Sequence, residues 1–259
     1  MVAILAVAAA SMWLCIVPLQ PTRTSFVAEV KIGDRGPFRF LLDAGTTVTV
    51  IDGTLARGLG LKPSKTTEAI GSSGPVQVQN AVVDDVHIGT LTIPLLDVLI
   101  IDLPPFPSHG RLDGIIGMNV FAGRSFMIDG PRRCLDVDLP ADRVNGGKQI
   151  EATEIVGRVA LKSEGMNFIL DSGASFTVLM SPRARRLATI TGTTEMTSAG
   201  RRTNLTSGTI PQLHLGTLTL RDVPTVRAPQ RDAREDALVP ISLFSVVYID
   251  AERRYVIVK

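Results

Sequence analysis

Cysteine is nearly absent: Cys15 and Cys134 are the only two in 259 residues. No Cys-x-x-Cys pair and no Cys/His cluster occurs, so the spacing of a zinc or iron–sulfur site is missing, and neither a metal nor a cofactor is expected. Cys15 falls inside an apolar run, so a structural disulfide to Cys134 is not expected either. Histidine is also scarce, with three residues. No His-Glu-x-x-His, Walker or Gly-x-Ser-x-Gly motif is present, which removes support for a zinc peptidase, a nucleotidase and a serine hydrolase. The formal net charge is only +2 and no basic stripe is visible. That balance argues against a nucleic-acid partner.

Long apolar runs are missing except at the start. Residues 2–17 are almost unbroken apolar sequence, closed by "PLQPTRTS". A cleaved signal peptide and a single membrane anchor both fit, although a span needs about 20 residues and no Lys or Arg precedes the run. A buried N-terminal strand is the alternative. Residues 1–24 are read as leader or anchor with a short linker. The expected location is therefore extracytoplasmic (periplasmic, secreted or membrane-anchored), with membrane association through residues 2–17.

What is abundant is Gly (23) and Pro (16), with frequent Thr and Val, a composition of turns and strands. The chain also repeats itself. "VAEVKIGDRGPFRFLLDAGTTVTVI" (27–51) aligns with "VGRVALKSEGMNFILDSGASFTVLM" (156–180) after one gap, pairing Val30 with Val159, Gly36 with Gly165 and Phe40 with Phe168. "HIGTLTI" (87–93) then meets "HLGTLTL" (214–220), "DGIIGMNVF" (113–121) meets "DALVPISLF" (236–244), and "IDGPRRCLDV" (128–137) meets "IDAERRYVIV" (249–258). The order is kept throughout. Two units of ordinary domain size follow: an N-terminal lobe over 25–140, a polar connector over 141–152 and a C-terminal lobe over 153–259. Alternating apolar and polar residues in each unit predict strands, "DRG" and "SEG" predict hairpin turns, and 53–61 and 182–190 predict one short helix per unit. "IGSSGPVQVQ" and "TSAGRRTNLTSG" read as hairpins with small residues at their tips.

Within the repeat, "FLLDAGTT" (40–47) and "FILDSGAS" (168–175) carry the same phrase. A lone Asp-x-Gly says little, since about one is expected by chance in a chain this long, and Asp34-Arg35-Gly36 is one such decoy in a turn. Asp43 and Asp171 differ from it in context. Each ends an apolar strand, where a charge is poorly solvated, and each precedes Gly and small hydroxyl residues. If the lobes face each other across a pseudo-twofold axis, the two carboxylates meet and share one proton. The ionised one takes a proton from water while the protonated one donates to a substrate carbonyl oxygen.

The phrase resembles the signature of the aspartic peptidases, pepsin-like and retropepsin-like: "LLDAGT" and "ILDSGA", with "DGIIGMNVF" matching the later apolar-apolar-Gly element through Ile115, Ile116 and Gly117. The resemblance covers residues 25–259. The chain is similar in size to two fused retropepsin units, which points to a bacterial, retropepsin-like branch. It implies an all-β fold of two homologous barrel-like lobes and a monomer that is an intramolecular pseudo-dimer. It also implies endopeptidase activity on a peptide or protein substrate, with Asp43 and Asp171 catalytic. Gly45, Thr46, Ser172 and Gly173 support their loops, and Gly71, Ser72, Ser73 and Gly74 form a substrate-binding flap.

Three departures stand out. Ala44 replaces the hydroxyl residue that in the family braces the two loops, so Ser172 is left to brace from one side. Leu238-Val239-Pro240 ends in Pro, without an N–H, where the first lobe has Gly. The candidate flap carries no Tyr; the two tyrosines are Tyr248 and Tyr255. Ala44 and Pro240 keep open a second function class, a catalytically inactive peptide-binding module on the same fold. Thr46 offers a hydroxyl to Asp43 while Ala174 is expected to offer no donor to Asp171, which puts the charge mostly on Asp43 and the shared proton mostly on Asp171. His87 and His214 read as strand-end residues and His109 as a loop residue. Arg201-Arg202, at the tip of a second hairpin, would favour acidic substrate residues.

Overall fold

The structure is a computed structural model and describes residues 15–71, 74–106, 110–198, 201–230 and 232–259. Residues 1–14 of the apolar run, Ser72 and Ser73 of the first flap, and His109 lie outside the described residues. Among the described residues no helix is long and apolar enough to cross a membrane.

The N-terminal lobe contains β1 (Val17–Pro21), β2 (Phe26–Ile32), β3 (Arg35–Leu42), β4 (Thr49–Asp52), α1 (Gly53–Leu59), β5 (Lys65–Gly71), β6 (Gly74–Ile88), β7 (Leu91–Ile101), β8 (Gly114–Ile116), β9 (Ser125–Asp129) and β10 (Cys134–Val137). The C-terminal lobe repeats the plan in β11 (Lys148–Ile155), β12 (Arg158–Ser163), β13 (Met166–Asp171), β14 (Thr177–Leu179), α2 (Pro182–Arg185), β15 (Thr189–Ser198), β16 (Arg201–Leu215), β17 (Leu218–Arg227), β18 (Ala237–Pro240), β19 (Val246–Asp250) and β20 (Tyr255–Val258). The all-β, two-lobed fold expected from the repeat is what forms.

In the first lobe β2, β3, β8, β4, β7 and β6 pair in that order, and β6 returns to β2 through Val30↔Ile88, closing a six-stranded barrel. The second lobe runs β12, β13, β18, β14, β17 and β16 in the same sequence of neighbours. There the Gly216 N–H reaches the Ser163 hydroxyl at 3.3 Å, linking the end of β12 to the hairpin after β16. Both helices start at side-chain caps. Asp52 accepts from Thr54 N–H and α1 ends at Gly60, whose φ of 71° suits glycine; Ser181 accepts from Ala184 N–H with Pro182 in the first turn. The second helix is shorter than expected, because Thr189 and Ile190 enter β15.

A six-stranded antiparallel sheet, β1-β10-β9-β19-β20-β11, joins the lobes. Met127 and Tyr248, counterparts in the repeat, face each other across β9 and β19, with Ile128↔Val247 and Phe126↔Ile249 on either side. The pseudo-twofold axis therefore passes between Met127 and Tyr248. Buried apolar side chains from both lobes form one continuous cluster above this sheet. One asymmetry leaves space. Phe126 stacks on Phe121 with ring centroids 4.3 Å apart, whereas its counterpart beside Phe244 is the smaller Val247. There a cavity of about 250 Å³ opens between residues 21–26 and the second lobe.

Four expectations need correction. Cys15 and Cys134 form a disulfide. The apolar run gives way at Val17 to a strand of alternating burial, and this strand lies on β10, bringing Cys15 beside the buried Cys134. For the same reason residues 17–21, read as leader and linker, belong to the fold: Val17↔Leu135 and Leu19↔Ala28 tie them to β10 and β2. Of the connector 141–152, residues from Lys148 onward are already strand, pairing with β20. Finally, the repeat aligns differently in the first hairpin. With Asp43 matched to Asp171, Arg39 corresponds to Asn167, and their ladder partners are Glu29 and Lys162. Residues 31–37 separate the Val30↔Phe38 pair, whereas only 164–165 separate Ser163↔Met166. The matches of Val30 to Val159 and Gly36 to Gly165 do not hold in space.

Candidate active site

Each aspartate ends the strand that a short parallel neighbour supports. Leu42 pairs with Ile116, whose carbonyl accepts the Asp43 N–H at 3.0 Å. Asp171 itself pairs with Pro240. Pro240 thus keeps the strand path of the first lobe but loses one bond. In the first lobe the Gly117 N–H donates to Thr49 Oγ1 at 3.1 Å, and Thr49 Oγ1 donates to Asn119 Oδ1 at 2.8 Å. The counterpart of Thr49 is Thr177, and its buried hydroxyl finds no hydrogen-bond partner among the described residues, as expected where proline supplies no N–H.

Beyond the strands, residues 43–47 and 171–175 turn back as two loops that meet across the lobes. A Cβ added to Gly45 would lie 2.5 Å from Asp171 Cγ and 2.6 Å from its Oδ2; one added to Gly173 would lie 3.0 Å from both Asp43 Cγ and Oδ2. Each glycine is thus pressed against the carboxylate of the opposite lobe, Gly45 closer than a Cβ permits and Gly173 at the edge of what one tolerates. Asp43 Oδ1 accepts the Gly45 N–H at 2.8 Å and its Oδ2 accepts the Thr46 hydroxyl at 2.7 Å. Asp171 Oδ1 accepts the N–H groups of Gly173 and Ala174, both at 2.8 Å. The expectation that position 174 offers no donor is therefore corrected: its side chain offers none, but its backbone does.

Ser172, fully buried, donates its hydroxyl to Leu42 O at 2.7 Å and accepts the Ala44 N–H at 2.8 Å. It braces the loops from one side, and the Ala44 methyl returns nothing. Gly45, Thr46, Ser172 and Gly173 all lie in the two loops beside Asp43 and Asp171. Gly71 and Gly74 pair at the tip of the β5–β6 hairpin, and β15–β16 forms its counterpart, with Arg201 opposite Ser198 at its end. Near the first tip Ile70 is 64% exposed. His87 and His214 stand at strand ends and bond across their hairpins to Thr92 and Thr219.

Two further aspartates near the site were given no role by the sequence. Asp113 and Asp236, the first letters of "DGIIG" and "DALVP", lock both lobes identically: Arg39 N–H donates to Asp113 at 2.8 Å and Asn167 N–H to Asp236 at 2.9 Å. Asp236 also takes Arg183 Nε at 2.6 Å and the Ser181 hydroxyl at 2.5 Å. Burial pushes its carboxyl up, but these donors outweigh it and hold the group below the ordinary carboxylate range. The equivalence of the two aspartates was itself visible in the repeat.

No curated protein sequence matched the chain. The sequence profile of the aspartyl protease family matches residues 28–120 and again residues 157–242, once per lobe. With one copy of the Asp-x-Gly loop inside each matched region, the chain belongs to the aspartyl protease family.

Proposed function

We propose that the chain is an endopeptidase that hydrolyses peptide bonds with water activated by Asp43 and Asp171. The observation that carries this reading is the reciprocal approach of Gly45 to the Asp171 carboxylate and of Gly173 to the Asp43 carboxylate. Two carboxylates held this way share a proton, because like charges a few ångströms apart do not both ionise. The ionised group draws a proton from a water between them. The protonated group donates to the carbonyl oxygen of the scissile bond, and the resulting diol collapses with proton transfer to the leaving amine. Fixing the carboxylates through backbone N–H groups costs no reorganisation when the charge moves. In this reading an extended peptide would lie under the two hairpins, with the exposed Ile70 offering it apolar surface.

One observation favours the second class, an inactive peptide-binding module: the inner brace runs only from Ser172. A library of extended peptides incubated with the protein across acidic to neutral pH separates the two. Internal cleavage supports the endopeptidase; saturable binding without any cleavage supports the module. The Cys15–Cys134 disulfide further supports folding in an oxidising, extracytoplasmic compartment. Protein taken from cells with its thiols trapped should carry no free cysteine, and two free thiols in the active protein would refute that location.

A further inference from the structure

Thr47 and Ser175 are repeat counterparts, each four residues beyond its aspartate, and each reaches the opposite lobe. Thr47 Oγ1 donates to Val156 O at 2.7 Å. The hydroxyls of Ser175 and Thr24 share a hydrogen bond of 2.8 Å. The partners sit in similar places: Thr24 lies just before β2, and Val156 just before β12. A Cβ on Gly157 would lie 2.7 Å from Thr47 Cγ2, so the β11–β12 turn rests directly on the loop that carries Asp43.

We propose that Thr47 and Ser175 are positioning residues that hold the two aspartate loops in register, supplying from outside part of the bracing that Ala44 does not supply from inside. This rests on reading Asp43 and Asp171 as the catalytic pair. The inner contact consists of the Ser172 hydroxyl spanning Leu42 O and Ala44 N–H. Outside it, the loops are tied to the opposite lobe by these two hydroxyls. They are unequal. Val156 and Gly157 form a tight turn with φ of 50° and 70°, so the acceptor for Thr47 is rigid. Thr24 belongs to the stretch that borders the cavity left by Val247, so the Ser175 brace has less behind it. Thr47 is the stronger device.

Thr47→Val keeps the shape and removes the hydroxyl. A loop free to drift by a fraction of an ångström loses reaction geometry, so kcat falls about tenfold while KM stays within about twofold. Thr47→Ser restores the rate. Ser175→Ala costs about threefold, in keeping with its looser partner. Ala44→Ser supplies the missing inner hydroxyl, and in that background the Thr47→Val loss shrinks to about threefold, since residues acting on one geometry are not additive. Amide exchange reads the brace without any substrate: Thr47→Val speeds exchange at Ala44 and Gly45 about tenfold and leaves Phe40, deeper in β3, unchanged. Unchanged loop exchange, an unchanged kcat, or an equal penalty in both Ala44 backgrounds overturns the proposal. A protein that cleaves nothing but shows the exchange effect refutes the peptidase reading and leaves the brace standing.

Discussion

Gly45 is the position where one added carbon does most. A methyl there would sit 2.5 Å from Asp171 Cγ and 2.9 Å from its Oδ1, while carbon atoms rest at about 3.5–4 Å. Either the loop or the carboxylate must retreat by about 1 Å, and a misplacement of that size costs about 100-fold in rate. The equivalent methyl on Gly173 would lie 3.0 Å from Asp43 Cγ, so about half the retreat is needed and the loss should be nearer tenfold. Overpacking costs about 1–3 kcal/mol. Neither glycine is fully buried, so both variants should remain folded, with the cost at the low end. The assay is kcat on one peptide substrate beside a thermal unfolding midpoint. Gly45→Ala should lose about 100-fold and Gly173→Ala about tenfold, each with a cooperative transition. A Gly45→Ala enzyme within twofold of wild type, or a Gly173→Ala enzyme that is the worse of the two, would refute the facing-loop geometry.

Other consequences follow from the two lobes' differences. Thr49→Val strands the Gly117 N–H, while Asn119 Oδ1 keeps the backbone N–H of residue 49, and should cost about 1–3 kcal/mol, whereas Thr177→Val removes a hydroxyl with no partner among the described residues and should be neutral or stabilising; equal shifts in urea midpoint would contradict this. Asp236 has its folded-state titration depressed, so its stabilisation is complete above the unfolded carboxylate value of about 3.9 and is lost as pH falls below it. Asp236→Asn should flatten the decline of stability below about pH 4, and an unchanged acid slope would exclude this role. Ala174→Thr adds a hydroxyl donor beside Asp171, favours the ionised form, and should move the alkaline limb of the pH–rate profile to lower pH; an upward shift would rule out the added donor.

Much of the fold was legible because the repeat supplied its own check. Two weak Asp-x-Gly signals became one strong signal once both ended apolar strands at matching places, and Pro240 and Ala44 stood out only against their counterparts. What escaped had physical causes. Cys15 looked like part of an apolar leader because burial in a sheet edge and burial in a membrane select the same residues. The alignment of Val30 with Val159 failed because period-2 strands resemble each other at every even shift, and the longer first hairpin hid the true offset. Thr47, Ser175 and Thr24 gave no signal, since a hydroxyl bridging two lobes depends on contacts more than a hundred residues apart. Arg158 and Glu235 pair inside the second lobe, and no motif in the sequence marked them.

The central claim is that one reaction needs both carboxylates. Asp43→Asn and Asp171→Asn, each assayed on a peptide the wild type cuts, test it most directly, with circular dichroism confirming the fold. Neither group can replace the other as both acid and base, so each variant should lose cleavage by at least about 10³-fold while still binding the peptide. An Asn variant at either position that cleaves at a rate near wild type would contradict the shared site.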